Sequence, residues 1–528
     1  MANLDWKLAL VTLAAMLAAA VTIHADAAPA PAASPDAAAA RTAAPTTPDA
    51  ALVVVDGTAL RAAPRDDAPQ HTLLWRGDAL ELRGERGEYL QVWDHGRERG
   101  GWVRRTSVHR LPADVPPAEL RAVLGFVRDL PGAEALGLAL AGQFVAAAPA
   151  DALRGPAGAD ALDAVGMLAE RLAERASAPP SPRLAEQAAL SGHLDVAQRL
   201  GVRLTSRDVD ATTGTAAPTL RVCYDGDAWR RLLAHAAATP EQRAHAALSL
   251  TREACAPEIL TPSAREQHDA WRAGVLDALP AADLPPLWRQ RVAVRRTAVW
   301  ASLAFARARR GDADGAREAS ERSLAALADV DRSDLADDEL AQYNRAALRA
   351  NAVRWAAATV PASPSAAARL ALESMPDGQT CVGLVDARAP ASAPLVRRCT
   401  WGHVWAASAT LNREGSALAL AVQPTDGWRE LWVFRRNGPS RGWTLQVLPP
   451  APATPGLGYA EFAGWVPGGQ QLLVAREAIA EGRTVRRFEV LKLDTLTPER
   501  SAFDAAALGA FTRWQDAQWK RSSLALRW

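Results

Sequence analysis

Lysine is almost missing from this chain. Only Lys7, Lys492 and Lys520 occur among 60 basic residues, and isoleucine is confined to Ile23, Ile259 and Ile479. This bias reads as the codon usage of a GC-rich genome, and its physical result is that cores must be built from Leu, Val, Ala and Trp. Neither sign of charge is in excess: 60 basic residues face 59 acidic ones, a formal charge of +1. Such a balance excludes a nucleic-acid partner, which needs a clustered basic surface. The motifs of common chemistry are missing too. There is no His-Glu-x-x-His, no phosphate-cradling Gly-rich loop and no Cys–His pair in a recognisable setting, so no cofactor is expected. Gly438-Pro-Ser440-Arg-Gly442 matches a Gly-x-Ser-x-Gly string. A nucleophile elbow must join a strand to a helix and needs a later His, yet these residues fall between two strands and no His follows His403. They predict a hairpin turn. His235 and His245 are expected to be surface or cap residues. Asp329 to Glu339 is carboxylate-rich but lacks the Gly and terminal Glu of an EF-hand loop, so no metal site is expected and Ser333 and Asp334 are read as caps of a helix from Leu335.

What is present begins with a short apolar run, Leu8 to Ile23, followed by His24-Ala-Asp-Ala27. This is the pattern of a secretory signal peptide (1–27) cleaved after Ala27, placing the protein in the periplasm or outside the cell. An uncleaved anchor is the alternative, and through it alone would the chain meet a membrane. No Cys follows the run, so a lipoprotein anchor is excluded. Residues 28–50 are an Ala/Pro-rich linker. Four cysteines agree with export. Cys223 with Cys255 and Cys381 with Cys399 are the expected disulfides, each pair lying within one module. A tetrahedral metal site is the rival, but no Cys-x-x-Cys spacing occurs.

From Leu52 the chain turns to short strands and tight turns. Val53-Val-Val55 ends at Asp56-Gly57, and Leu60 to Pro64, Leu73-Leu-Trp75, Leu80-Glu-Leu82, Tyr89-Leu-Gln-Val-Trp93 and Trp102-Val103 follow. Five or six strands in some 60 residues predict a small barrel over 51–112. Leu60 to Pro64, Gly77 to Leu82, Tyr89 to Trp93 and Gly101-Trp-Val103 resemble, in order and spacing, the bacterial SH3-like domain, although Arg61-Ala-Ala-Pro64 lacks that family's loop glycine. The resemblance implies binding of cell-wall peptide or of an envelope protein. Tyr89, Trp93 and Trp102 are the candidate binding residues, as an aromatic groove. The competing expectation is that Trp93 or Trp102 fills the barrel core.

Residues 113–372 change to Ala, Leu and Arg at helical spacing, as in Leu162, Val165, Leu168 and Leu172. Residues 201–222 read as a hairpin insertion, and Asp227 as the N-cap of the next helix. Residues 297–327 resemble one tetratricopeptide-type helix pair around a Gly311-Asp312 turn. A single repeat makes no array. In 373–528 strands return, with nine of the chain's 18 tryptophans after residue 400. Cys381 to Asp386 and Leu395 to Cys399 predict a hairpin. Two units then repeat with Gly415 and Gly469 in corresponding turns, each a turn, a buried strand, a hairpin and another strand. Trp465-Val-Pro-Gly-Gly469 and Leu493-Asp494 resemble the WD40-like propeller repeat, here partial, with flanking pieces at 381–400 and 514–528. Two units cannot close a ring, so a partial propeller, or one completed by another chain, is expected.

The fold class expected is therefore a multidomain α+β chain: a small SH3-like β-barrel, a central mainly α-helical domain and a C-terminal all-β partial propeller-like domain. The function expected is that of an exported, non-catalytic envelope protein that binds cell-wall peptide or a protein partner. A divergent cell-wall hydrolase, or an accessory subunit of one, is the alternative.

Overall fold

The computed structural model describes residues 49–209, 219–256, 261–358, 368–386, 394–437, 442–452, 456–480 and 483–522. The expected signal peptide, its cleavage site and all but the last two residues of the expected linker lie outside the described residues. The chain mixes helices with antiparallel sheets, as expected, and its contacts group it into two compact units divided between Leu250 and Thr251. That division falls inside the stretch with helical spacing.

In the first unit, strands β1 (Ala50–Val53), β2 (Thr58–Arg61), β3 (Gln70–Leu74), β4 (Ala79–Arg86), β5 (Tyr89–Asp94), β6 (Arg99–Arg104) and β7 (Val108–Leu111) form one sheet in the order β3-β2-β6-β5-β4-β1-β7. Every pairing is antiparallel. Its core is aliphatic: Val53, Leu60, Leu74, Leu80, Leu90, Val92 and Val103 are buried together. Neither Trp93 nor Trp102 belongs to it, which corrects the expectation that one of them fills the core. Enough Leu and Val come from β1, β2, β4, β5 and β6 to close the interior without a large ring.

Helices α1 (Pro117–Arg128), α2 (Glu134–Ala147), α3 (Ala150–Arg154), α4 (Pro156–Ser177), α5 (Leu184–Arg199), α6 (Asp227–Ala234) and α7 (Pro240–Leu250) complete this unit, with the hairpin β8 (Leu204–Val209) and β9 (Thr219–Tyr224). The sheet is docked on these helices. Strand β1 is buried on both faces, Ala51 and Val53 toward the sheet core and Leu52 toward Leu120, Leu138, Phe144 and Leu168. Gly77, at φ +89°, runs so close to α2 that a Cβ there would collide with the Ala135 carbonyl, and one at Gly192 would collide with the Trp75 ring. Polar pairs flank the contact. Asp78 pairs with Arg199, and Asp56 accepts from His193 Nε2 at 2.8 Å, while His193 Nδ1 lies 3.4 Å from Arg175. Burial raises the Asp56 carboxyl, but the His193 hydrogen bond and the Arg76 amide outweigh it and leave it below its ordinary value. Asp227 is the first helical residue of α6 and not its cap. Gly226 occupies that position at φ +82°, and the Asp225 carboxylate takes the Asp227 amide at 3.0 Å. Nor is His245 a surface residue: it is half-buried, 3.1 Å from Asp163, with its ring tilted against Trp229.

The second unit carries α8 (Pro262–Asp277), α9 (Pro286–Arg309), α10 (Ala313–Ala328) and α11 (Asp337–Val353). The Gly311-Asp312 turn joins α9 to α10, with Asp312 capping α10 through the Gly315 amide at 2.9 Å. Ser333 and Asp334 do not cap a helix from Leu335. They lie in a 3-10 turn capped by Asp331, and α11 starts at Asp337 with Glu339 reaching back to the Ala336 amide at 3.0 Å.

Strands follow: β10 (Ala368–Ser374), β11 (Thr380–Asp386) and β12 (Val396–Thr400) form one three-stranded sheet. Two four-stranded meanders come next. The first is β13 (His403–Leu411), β14 (Ala417–Thr425), β15 (Trp428–Arg436) and β16 (Trp443–Leu448). The second is β17 (Gly458–Val466), β18 (Gln471–Ala480), β19 (Arg483–Lys492) and β20 (Pro498–Ala502). A short parallel contact, Trp428 and Arg429 beside Gly458 and Tyr459, joins them. Gly415 and Gly469 hold matching turns at φ +64° and +67°. The Glu414 carboxylate accepts the Gly468 amide at 3.0 Å, so one turn bonds to its counterpart.

Alternation along β14 explains the run Ala417-Leu-Ala-Leu-Ala-Val422. Ala417 and Ala419 face Phe462, Leu472 and Val474 of the second meander, while Leu418, Leu420 and Val422 face Val382 and Leu384 of the three-stranded sheet. Both faces are covered, so both parities are apolar. The outer face of the second meander, Ala463, Leu473, Ala475 and Val490, is covered by Leu508, Phe511 and Trp519. These lie on or beside α12 (Gly509–Trp514) and α13 (Ala517–Ser522). The described part of the expected flank, 514–522, thus holds helix and not a strand piece, and Trp519 in it covers the sheet face.

Candidate ligand-binding face

Tyr89, Gln91 and Trp93 alternate with Leu90 and Val92 along β5, and the leucine and valine point into the core. On β6 Val103 lies opposite Leu90, while Trp102 lies opposite Gln91 and Arg104 opposite Tyr89. Directly paired residues of an antiparallel ladder point to the same side. Tyr89, Trp93 and Trp102 therefore share the face turned away from the core. The Trp93 ring lies on the backbone of Gly100, where an added Cβ would sit 3.1 Å from the ring.

Two arginines brace the rings. The Arg83 guanidinium lies 4.5 Å over the Trp93 centroid and that of Arg104 5.6 Å over Tyr89. Each arginine is held by an acid. Arg83 donates to Glu81 at 3.0 Å, and His95 approaches the other Glu81 oxygen at 2.6 Å. Burial raises the Glu81 carboxyl, and the hydrogen bonds from Arg83 and His95 overcome that and hold it low. Asp66 accepts from the Tyr89 hydroxyl and from Arg104. These two hydrogen bonds, Tyr89's first, depress the Asp66 carboxyl, and the same contact raises the Tyr89 hydroxyl. Tyr89 is nearly buried, whereas Trp93 and Trp102 are half-buried. Among the described residues, Trp102 donates no hydrogen bond from its indole nitrogen. The face is thus a strip of three rings with paired charges at each end, suited to an extended ligand without large net charge.

The structure brings together all three aromatic residues singled out from sequence. It adds Arg83, Arg104, Asp66, Glu81 and His95, which spacing did not flag. The residues of the Gly-x-Ser-x-Gly string join β15 to β16, two antiparallel neighbours, and 438–441 of it lie outside the described residues. All four cysteines are disulfide-bonded. Cys381 and Cys399 sit directly opposite each other on β11 and β12 and are bonded, which leaves Cys223 for Cys255, the pairing expected. Two disulfides point to an oxidising, extracytoplasmic setting. No helix among the described residues is long and apolar enough to cross a membrane. Compared with known proteins, the chain matches no family model, no curated protein and no solved structure.

Proposed function

We propose that this chain is an exported, non-catalytic envelope protein whose N-terminal sheet is an SH3-like barrel that binds cell-wall peptide or a partner protein. The observation that carries the proposal is the common placement of Tyr89, Trp93 and Trp102 on the face opposite an all-aliphatic core. The half-buried Trp93 and Trp102 contribute nothing to the sheet's interior and supply contact area at low entropy cost, while the nearly buried Tyr89 anchors one end of the strip. The two meanders of the second unit are read as WD40-like blades, and α9 with α10 as a tetratricopeptide-like pair, both serving as scaffold or docking surface.

Co-sedimentation of the full chain with purified peptidoglycan sacculi tests the reading. The full chain is required because Leu52 and Leu111 are buried against the helices. Trp102→Ala is expected to weaken binding about ten-fold, roughly 1.4 kcal/mol. A full chain that stays in the supernatant eliminates the wall and leaves a protein partner. Release of muropeptides from the sacculi would overturn the non-catalytic assignment.

A further inference from the structure

Helices α1 and α4 border an open cavity of about 340 Å³. Its floor is Leu124, Gly125, Ala161 and Ala164, and its rim is Arg121, Arg128 and Asp160. Arg121 and Arg128 are seven residues apart, so they share one helix face about 10 Å apart along the axis. Their donors are largely unspent. Arg121 comes no closer than 3.9 Å to Asp160 and donates no hydrogen bond among the described residues. Arg128 spends its Nε on Asp129 at 3.1 Å, while its Nη1 stays 3.9 Å from Asp163. Asp160 is engaged by Gln242 at 3.0 Å.

Gly125 lies between the two arginines along α1. Glycine inside a helix is less stable than alanine there. Yet an added Cβ at Gly125 would meet nothing within 4 Å, so packing does not call for a glycine. What its bare backbone does is leave the floor open between the two arginines.

We infer that this cavity binds a carboxylate carried on a short aliphatic body. A guanidinium fork matches a carboxylate in bidentate geometry, and Arg128 offers its terminal nitrogens for it. The Ala–Gly–Leu floor takes methyl-sized groups, and Asp160 beside Arg121 favours an N–H donor at the far end over a second anion. Two sources share this chemistry, the C-terminus of a peptide ending in small residues and a free organic acid. The site is distinct from the aromatic face and does not depend on the function proposed for it.

Isothermal titration of the full chain with N-acetyl-alanyl-alanine, its C-terminal amide and propionate decides the matter. The acid peptide is expected to bind saturably and its amide about ten-fold more weakly or worse. Arg128→Gln should cost a similar factor, with Arg121→Gln as a second rim variant, and Gly125→Leu should remove binding by filling the floor. Unchanged circular dichroism would show that each variant is folded. Propionate binding within about three-fold of the peptide assigns the site to free organic acids, and much weaker propionate binding assigns it to peptide C-termini. Absence of saturable binding of either acid at millimolar concentration, equal affinity for acid and amide, or full affinity in both arginine variants would each overturn the inference.

Discussion

Asp66 holds the Tyr89 hydroxyl and the Arg104 guanidinium together, and its depressed carboxyl carries a pH signature. A group whose folded value lies below its unfolded one adds stability above the unfolded value, about 3.9 for Asp, and loses it as pH falls through the folded value. The clamp on Tyr89 should accordingly persist at pH 4 and open only in more acidic solution. In a carboxyl-carbon NMR titration, Asp66 is expected to titrate below the ordinary range, and Tyr89→Phe to move it back toward that range. An Asp66 that titrates normally in the parent chain would refute the clamp. Glu461 is a sharper case. It sits buried between Arg354 and Arg429, and its second oxygen accepts from the Trp519 indole at 3.1 Å. Burial pushes Arg429 down to about 10. Glu461→Gln would leave two buried guanidiniums without their shared counter-charge and should cost about 3–5 kcal/mol, read from the urea midpoint.

At the scale of elements, alternation in Tyr89-Leu-Gln-Val-Trp93 already put both rings on the side of Gln91, so the aromatic face was legible in sequence. The competing core reading overlooked how many aliphatic residues the neighbouring strands supply. The antiparallel pairs within residues 201–222 and at Cys381–Cys399 were legible for the same local reason, whereas the hairpin signal at Asp56-Gly57 misled: the turn leads from β1 to β2, which pair with other strands and not with each other. What stayed hidden was non-local. An apolar strand such as Ala50–Val53 shows that it is buried, not by which neighbour, and only the fold reveals α1, α2 and α4 against Leu52. The cap at Asp227 was misplaced by one or two residues because Asp225, Gly226 and Asp227 all suit a helix start, and only the φ of Gly226 decides. Two outcomes follow from the docking. Amides of β1 should exchange with deuterium together with those of α2, not at an independent rate. Gly192→Val, forced against Trp75, should destabilise by roughly 1–3 kcal/mol or more. An unshifted urea midpoint would show that α5 yields freely.

For the whole molecule, the two disulfides tie stability to compartment. The Cys381–Cys399 loop is worth about 3 kcal/mol on chain-entropy grounds, so reduction should lower the melting temperature of the second unit, and non-reducing peptide mapping should return 381–399 and 223–255. The repeat seen in sequence around Gly415 and Gly469 became two stacked meanders. What lay beyond them was misjudged, because a sequence rich in aromatic residues does not say whether they form a further strand or cover the last one. Layered sheets with both faces apolar behave like a growing polymer, since each new layer presents the surface that the next one needs. Phe511 and Trp519 are then the chain terminator of that polymer. A variant truncated before Gly509 should leave that face bare and sediment as larger species than the intact chain does.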